Sequence, residues 1–340
     1  MADMLSRLSD GREITYFDDV PGRDRDAVDG RKLEPFAPEA EVRLDPLTRQ
    51  PVLVAARRQV RTISSGTADC PLCPTRPGRR TEIPAGDYHV AVFENRFPSL
   101  GGKVGGRCEV VCFSSDHEGD MAKLPAERLA TIGRAWAHRT AALSALPEVE
   151  QVFVFENRGA EIGATLAHPH GQIYAYPYLP PVQAAVLESA RLHRAARGGC
   201  LLCAIVDREA AGPRVVAESE GFVAYVPEAA RWPYEVHLAP RACVGDLAAF
   251  TENERAELMG LYADVLRRFD RLFTGPTPYM AAWHQAPVRH RADLDHLYAQ
   301  IFTTRRAADR YKFLASSESA AGAFINDVLP ETAAERLRSA

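Results

Sequence analysis

The chain has 340 residues, of which 46% are hydrophobic and 25% charged, values typical of folded globular proteins. Its 41 basic and 45 acidic residues give a net charge of −4, which argues against nucleic-acid and membrane-surface partners. The N-terminal segment has no signal-peptide pattern, and no apolar run reaches about 18 residues. We therefore expect a cytoplasmic protein without a membrane span, whose cysteines form no disulfide framework.

Residues 1–40 are polar and rich in Pro, Asp and Arg, which predicts an irregular N-terminal arm. After this arm the same order of features occurs twice. Each copy opens with Cys-x-x-Cys, continues with two strand-like segments and a long amphipathic helix, and ends with two strand-like segments joined by a loop. The first copy reads CPLC, DYHVAVFENRF, RCEVVCFSS, a helix over about 125–146, and QVFVFENRGAEIGATLAHPHGQIYA.

The second copy reads CLLC, GFVAYVPEAARW, PYEVHLAPRA, TENERAELMGLYADVLRRFDRLF and YMAAWHQAPVRHRADLDHLYAQIF. In its helix, Thr251 and Glu254 match the pattern of a capping box. The last segments of the two copies align without a gap, since Gln151 faces Tyr279 and His168 faces His296 at the same separation of 128 positions. The sequence therefore predicts an α+β fold of two tandem half-units over 41–190 and 191–340, each a mainly antiparallel sheet with a packed helix.

Cys70 and Cys73 are the first candidate metal ligands. Two thiolates at this spacing suit a tetrahedral zinc ion, and they also occur in redox motifs that open a helix. The segments around CPLC are rich in turn-forming residues, which favours zinc. His117 and His168, which flank strand-like segments of the same copy, complete a set of four sulfur and nitrogen ligands.

The repeat places a second candidate metal site in the second copy. Aligning Glu109 with Glu235 brings His117 onto Cys243, and the gapless alignment brings His168 onto His296. Taken singly, Cys243 is typical of a buried apolar cysteine and His296 of a surface histidine. Combined with CLLC they predict a second zinc site, so we expect two zinc ions per chain. Its ligands are Cys200, Cys203, Cys243 and His296.

His170 distinguishes the two copies, because its counterpart in the second copy is Tyr298. It lies two residues after His168, and alternate residues of a strand share a face. If His168 binds metal, His170 has a separate task that the second copy has lost. Gln172, by contrast, has a counterpart in Gln300.

The segment FENRGAEIGATLAHPHGQ resembles the active-site segment of galactose-1-phosphate uridylyltransferases, which belong to the histidine-triad superfamily. DPLTRQPVLVAARRQVR, CPLC, CFSSDH, WHQAP, YKF and the terminal ETAAERLR are also similar to parts of that family. The resemblance runs from about Leu44 to the C-terminus. It implies two histidine-triad-like half-units, of which the first is catalytic and the second degenerate.

The resemblance implies a ping-pong reaction in which UDP-glucose gives its uridylyl group to a histidine and galactose 1-phosphate, or a related hexose 1-phosphate, then takes it. By position the nucleophile is His170, since a neutral imidazole attacks phosphorus without a separate base. The hydrolase branch of the superfamily commonly has a third histidine where this chain has Gln172. An amide can hold a phosphoryl oxygen but cannot titrate at neutral pH, which favours transfer over hydrolysis.

Further substrate-binding residues follow from the resemblance alone. It implies phosphate-binding arginines, nucleotide-binding asparagines, and backbone and hydroxyl groups that approach the phosphates. It also implies sugar-side residues supplied across the interface of a homodimer. In the order of these roles, the matching residues are Arg58 and Arg61, Asn95 and Asn157, Gly163 and Thr165, and Lys312 and Glu318.

The chain departs from the family pattern at three places. Familiar members have a second metal site on a His-Ala-His segment, where this chain has Tyr298-Ala299-Gln300, so that site is expected to be absent although His284 remains. A tyrosine expected just before Glu318 is Ser317, which weakens the assignment of galactose. A cysteine that commonly follows Gly163 is Ala164, with little chemical consequence.

Two alternatives stay open. One is a superfamily enzyme that uses adenine nucleotides, such as a dinucleoside polyphosphate phosphorylase or an adenylyl transferase. The other is a non-catalytic, zinc-stabilised module that binds nucleotides or nucleic acid. The acidic balance and the lack of a Lys/Arg run argue against nucleic acid, and the retention of His170 in one copy argues against a non-catalytic protein.

Overall fold

A computed structural model of the protein describes residues 4–60, 66–291 and 293–340. The strands of this part of the chain are β1 (Met4–Arg7), β2 (Glu13–Phe17), β3 (Glu41–Leu44), β4 (Pro51–Val54), β5 (Val90–Glu94), β6 (Arg107–Cys112), β7 (Gln151–Arg158), β8 (His170–Tyr176), β9 (Val215–Glu218), β10 (Phe222–Tyr225), β11 (Tyr234–Pro240), β12 (Tyr279–His284), β13 (Tyr298–Thr303), β14 (Arg305–Ala307) and β15 (Arg310–Tyr311). The helices are α1 (Ala126–Ser144), α2 (Pro181–Arg197), α3 (Leu201–Ala210), α4 (Glu252–Leu272), α5 (Ser316–Ser319) and α6 (Pro330–Ser339).

One sheet carries both copies of the repeat. Its strands lie in the order β1-β2-β5-β6-β8-β7-β12-β13-β11-β10-β9, and β3-β4 and β14-β15 form separate two-stranded ribbons. The order β5-β6-β8-β7 of the first half recurs as β10-β11-β13-β12 in the second, and the halves meet where β7 pairs antiparallel with β12. There Val154 pairs with Trp283 and Phe155 pairs with Ala282. Ala282 is the repeat counterpart of Val154, and Trp283 is that of Phe155, so the two pairs are related by the repeat. The predicted fold class and its duplication are confirmed.

Helices α1 and α4 cover one face of the sheet, and each belongs to one half. The predicted capping box of α4 is present: the Thr251 side chain accepts from the Glu254 amide, and the Glu254 carboxylate accepts from the Thr251 amide. Apolar side chains at helical spacing, among them Trp136 of α1 and Tyr262 of α4, pack with strand residues such as Trp283 in the largest buried core. The opposite face of the sheet is therefore left to carry polar and reactive side chains.

The N-terminal segment is more regular than predicted. Residues 4–17 form β1 and β2, and β2 extends the main sheet by pairing Ile14 with Phe93. Ile14, Tyr16 and Phe17 are buried, so this part of the arm contributes to the core despite its polar surroundings. Residues 18–40 contain no helix or strand, as predicted. The boundaries at 40/41 and 190/191 stay predictions, and the second falls within α2.

The alignment of Glu109 with Glu235 was wrong by one residue. Glu109 accepts hydrogen bonds from Arg139 of α1, whereas Glu235 accepts one from Gln300 on the opposite face of the sheet. The strand registers instead make His237 the counterpart of Val110, since each pairs with the glutamine of the neighbouring strand. A shift of one residue reverses the face of every side chain in a strand.

None of the described helices combines the length and the apolar character that a membrane span requires.

Candidate active site and metal centres

His170 opens strand β8 and lines a cavity. Its Nδ1 lies 2.7 Å from the carbonyl oxygen of His168, a contact in which Nδ1–H donates and the lone pair of the neutral ring remains on Nε2. Desolvation by burial lowers the pKa of His170, although the hydrogen bond to the carbonyl acts in the opposite direction. The hydrogen bond fixes the tautomer of the ring, and burial keeps the other nitrogen unprotonated, which is the form that a nucleophile needs.

Gln172, two residues further along the same face, is oriented by Asn95. The Asn95 side-chain amide donates to Gln172 Oε1 over 3.3 Å, while Asn95 Oδ1 accepts from the backbone amide of Phe97 over 2.8 Å. The NH2 group of Gln172 therefore remains as a donor beside His170. Such a donor suits a phosphoryl oxygen.

The cavity in front of His170 is the first-half cavity, with a volume of about 150 Å3. Arg58 contributes its guanidinium group, which donates to Phe97 O, Ser99 Oγ and Tyr174 Oη over 3.0 to 3.2 Å. These bonds hold a positive charge in the cavity wall, where a phosphate is a fitting partner. The residues of the wall are Arg58, Pro71, Leu72, Glu82, Phe93, Asn95, Arg96, Phe97, Val110, Thr165, Leu166, His170 and Gln172.

Two glycines allow the local backbone at this site. A Cβ on Gly171 would lie 2.8 Å from the carbonyl oxygen of Phe155 in the neighbouring strand, so no other residue fits between His170 and Gln172 without a backbone shift. Gly163 has a φ of +82°, in the left-handed region that glycine adopts without a steric penalty. It precedes Thr165 in the turn that leads to the cavity.

The first predicted metal set converges as expected. One ligand atom from each of Cys70, Cys73, His117 and His168 lies within 4.8 Å of the others, and all four residues are buried. Cys73 Sγ is 3.4 Å from His117 Nδ1 and 3.6 Å from His168 Nδ1. Zinc bonds of about 2.3 Å to sulfur and 2.0–2.1 Å to nitrogen place such atoms about 3.5 Å apart in a tetrahedron. The four residues therefore fit a zinc ion.

The surroundings of this set hold its ligands in place. His168 Nε2 lies 2.8 Å from the carbonyl oxygen of Ser114 and 2.8 Å from the Tyr88 hydroxyl, which in turn donates to Leu72 O between the two cysteines. A donating Nε2–H leaves Nδ1 for the metal. Burial and the neighbouring Cys70 raise the pKa of Cys73, so a bound cation is needed to favour its thiolate.

The second set also converges, on the surface of the second half. Its four ligand atoms lie within 4.8 Å of one another. His296 Nδ1 is 3.7 Å from Cys200 Sγ and 3.4 Å from Cys203 Sγ, while His296 Nε2 lies 3.1 Å from the Pro240 carbonyl oxygen. Cys243 is exposed but belongs to the set. The exchange of His117 for Cys243 keeps a chemically sound tetrahedral site.

Several predicted residues lie away from the first-half cavity. Asn157, opposite Met280 in the pairing of β7 with β12, is in the wall of an adjoining cavity and not beside His170. Lys312 and Glu318 are buried and form an ion pair of 2.7 Å with each other. Arg61 falls outside the described residues. The roles of these four residues remain predictions.

The place of the family's second metal site is taken by hydrogen bonds. His284 Nδ1 lies 3.0 Å from Gln183 Nε2, His284 Nε2 lies 3.1 Å from Gln300 Oε1, and the ring stacks on Tyr298. Among the residues that the structure describes, His284 is in no group of metal ligands. The absence of that metal site stays a prediction.

Sequence reasoning missed the residues that act from other strands and loops. Phe93, Val110 and Leu72 line the first-half cavity. The Tyr88 hydroxyl contacts both His168 and the Leu72 carbonyl oxygen between Cys70 and Cys73. Phe93 stands just before the recognised Asn95, a closeness that could have drawn attention to it. Tyr88 carries no comparable pattern, because its contacts depend on the packing of separate segments.

The fold and the site define a class: a duplicated α+β chain with a histidine and an arginine in the wall of one cavity and a Cys/His cluster in each half. The family model for the N-terminal domain of galactose-1-phosphate uridyl transferase matches residues 101–180, and that for its C-terminal domain matches residues 188–340. The chain belongs to the galactose-1-phosphate uridylyltransferase family. The family predicted from HPHGQ, and the enzyme class that accompanies it, are confirmed.

Individual relatives extend over nearly the whole chain. The galactose-1-phosphate uridylyltransferase of Streptomyces lividans is 46% identical and covers 99% of this chain and 98% of its own length. That of Thermotoga maritima is 35% identical over 88% of this chain and 98% of its own. A solved uridylyltransferase structure is 29% identical with a TM-score of 0.79, covering 88% of this chain and 97% of that one. An ADP-glucose phosphorylase from Arabidopsis thaliana, at 23% identity and TM-score 0.70 over 89% and 99% of the chains, shares the fold.

Proposed function

We propose that the protein transfers the uridylyl group of UDP-glucose to galactose 1-phosphate, or a related hexose 1-phosphate, through a uridylyl-histidine intermediate. The observation that carries the proposal is the geometry of His170. Its Nδ1 donates to the His168 carbonyl oxygen, which leaves the lone pair on Nε2, and His170 lines a cavity together with Arg58 and Gln172. The names of the relatives, which match this chain over most of its length, supply galactose 1-phosphate and the uridylyl group, while UDP-glucose as the donor follows from the family resemblance.

In the first step, the lone pair of His170 Nε2 attacks the α-phosphorus of UDP-glucose. A nitrogen–phosphorus bond forms, the bond from that phosphorus to the bridging oxygen breaks, and its electron pair leaves with glucose 1-phosphate. The departing group is already a stable anion, so the step makes little demand on a general acid. The uridylylated ring keeps its proton on Nδ1 and is cationic, and the His168 carbonyl oxygen stabilises that charge.

In the second step, a phosphate oxygen of the hexose 1-phosphate attacks the same phosphorus, and the electron pair of the nitrogen–phosphorus bond returns to Nε2. The NH2 group of Gln172 and the guanidinium group of Arg58 stabilise the negative oxygens of the pentavalent transition state. Gly163 and Thr165 assist from the turn that leads to the cavity, and Arg61 contributes a further positive charge. Because Gln172 cannot take a proton from water at neutral pH, the intermediate is kept for the sugar phosphate.

The proposal includes one zinc ion at each Cys/His cluster, two per chain. The donor sets and their spacing support zinc, which, when bound, would cross-link each cluster and supply no proton transfer. The first ion would hold His168, whose carbonyl oxygen orients His170. Metal analysis of the purified chain should therefore return two zinc equivalents, and a value of one or none would refute the second site or both.

We also propose a homodimer, in which Lys312 and Glu318 act on the sugar side of the partner's site. The next residues, Phe313 and Leu314, are 80% and 44% exposed, which supports coverage by a second chain. Light scattering after size exclusion should give twice the chain mass; the single mass would contradict a dimer. A cytoplasmic location also belongs to the proposal, because none of the seven cysteines is in a disulfide.

The decisive experiment for the activity mixes the protein with UDP-glucose alone. We expect one equivalent of glucose 1-phosphate and a chain that is heavier by one uridylyl group, since no acceptor completes the cycle. Adding galactose 1-phosphate should then remove the group and form UDP-galactose. ADP-glucose serves as the control for the base. An adduct from ADP-glucose only would overturn the proposal, and steady release of UMP would indicate hydrolysis instead.

A further inference from the structure

The second half contains a cavity at the position equivalent to the first-half cavity. This second-half cavity has a volume of about 680 Å3, within the range of small-molecule sites. At least five residues of its wall are the repeat counterparts of residues of the first-half cavity. In matching order, Leu72, Phe93, Val110, Leu166 and His170 correspond to Leu202, Tyr225, His237, Leu294 and Tyr298.

The correspondence follows from strand pairing and not from sequence similarity. Phe93 pairs with Val110, which pairs with Gln172 of β8. In the second half, Tyr225 pairs with His237, which pairs with Gln300 of β13. Three equivalent strands, β5, β6 and β8 in the first half and β10, β11 and β13 in the second, therefore contribute to the wall of each cavity.

Two of these exchanges add polar groups to the second-half cavity. Phe93 becomes Tyr225, whose hydroxyl is buried and has no hydrogen-bond partner among the described residues. Val110 becomes His237, whose Nε2 lies 3.1 Å from Glu235 Oε1, so Nε2–H donates and the Nδ1 lone pair is an acceptor. The Tyr225 hydroxyl lies beneath the cavity surface, so a bound polar group recovers the cost of its missing hydrogen bond through a small movement of the side chain.

The wall also offers planar groups and a charge. Tyr225, Tyr298 and Phe324 line it, and the Arg231 guanidinium group lies over the Phe324 ring at 5.3 Å. The space continues into the adjoining cavity of about 620 Å3, with which it shares Arg231, His237, Tyr298 and Phe324. Aromatic faces beside hydrogen-bonding groups suit a heterocyclic base with an attached polyol.

We propose that the second-half cavity binds a nucleoside or nucleotide without reacting with it. The ligand class rests on the proposed function, under which the equivalent surface of the first half holds a nucleotide. Tyr298 stands where His170 stands in the first half and is stacked on His284 at a ring distance of 4.6 Å. A phenol held in this way does not replace the imidazole nucleophile, so the second half binds and does not transfer.

The proposal is tested by counting bound UMP in equilibrium dialysis with the full chain. The wild type should bind two equivalents. Ala185→Trp, which places a large ring in the wall of the second-half cavity, should reduce the count to one and leave uridylylation by UDP-glucose unchanged. Its matched control is Ala184→Trp, an exposed neighbour on α2 that lines neither cavity and should still bind two.

Tyr225→Phe provides a second, milder test that removes only the hydroxyl. It should weaken one of the two UMP sites by about three- to tenfold, the usual effect of one lost hydrogen bond. Tyr16→Phe, a change at a buried tyrosine of β2 outside both cavities, should leave both affinities as they are. Equal affinities in the wild type and Tyr225→Phe would overturn the role of the hydroxyl, and the count with Ala185→Trp decides whether the second site exists.

Failure of this proposal is distinguishable from failure of the proposed function. A count that Ala185→Trp does not change, for UMP and for AMP, overturns the second binding site whether or not UDP-glucose uridylylates the chain. Conversely, a UMP equivalent that Ala185→Trp removes supports the site even if no uridylyl adduct forms on the wild type.

Discussion

Replacing Glu156 by Gln should remove a pH-dependent loss of stability from the boundary between the halves. Glu156 of β7 is buried, and its carboxylate accepts hydrogen bonds from the hydroxyls of Tyr279 (2.6 Å) and Tyr262 (3.2 Å) in the second half. Burial raises its pKa from 4.5 to about 7, although those hydroxyls and Arg158 act in the opposite direction and Asp120 adds to the increase.

The sign of the effect follows from this raised pKa. Between about pH 4.5 and about pH 7 the folded chain keeps a proton that the unfolded chain has released, so stability falls as the pH rises through this range. At 1.36 kcal/mol per pH unit, the complete loss above pH 7 is about 3 kcal/mol. Glutamine is neutral at every pH and can still accept from a tyrosine hydroxyl.

Urea unfolding at about pH 5 and about pH 8, with zinc present throughout, measures the effect. Relative to the wild type, Glu156→Gln should gain about 2 kcal/mol in free energy of unfolding between the two pH values. Taking the difference between variant and wild type cancels the other titrating groups. The exposed Glu161, changed to Gln, is the control and should show no such gain. A constant difference between Glu156→Gln and wild type would refute the burial argument.

Three further predictions concern the site. Gly171→Ala puts a Cβ 2.8 Å from the Phe155 carbonyl oxygen, so β8 must shift and kcat should fall at least about tenfold. An unchanged kcat would show that the strand tolerates the clash. Asn95→Ala removes the hydrogen-bond donor to Gln172 Oε1, so single-turnover uridylylation should slow by about three- to tenfold while the melting temperature stays the same. A lower melting temperature with an unchanged rate of uridylylation would argue against this positioning role. Cys203→Ser should reduce zinc from two equivalents to one and lower the melting temperature, while the folded fraction is still uridylylated; two retained equivalents would remove Cys203 from the ligand set.

The sequence predicted the features that depend on local spacing. The separation of 128 positions brought His168 onto His296, and the structure places each in a Cys/His cluster. The same alignment set His170 against Tyr298, and these residues occupy equivalent positions in the two halves. Ligand spacing and strand alternation are local properties, so a single sequence contains them.

Features that depend on the packing of distant segments could not be predicted from the sequence. The match of Glu109 with Glu235 looked natural in the sequence, but only the strand register shows that they lie on opposite faces. Asn157 shares its motif FEN with Asn95, yet the two line different cavities because they end different strands. The first strands were missed because Ile14 and its neighbours lie in a polar context and their pairing with β5 spans many residues.

The central claim, that His170 carries the uridylyl group, is tested most directly by mapping the adduct. The chain is incubated with UDP-glucose and digested at neutral pH or above, where a phosphorus–nitrogen bond survives, and the peptides are analysed by mass spectrometry. We predict one uridylyl group per chain, located on His170, and no adduct in His170→Asn. A uridylyl group on another residue, or undiminished turnover by His170→Asn, would contradict the account.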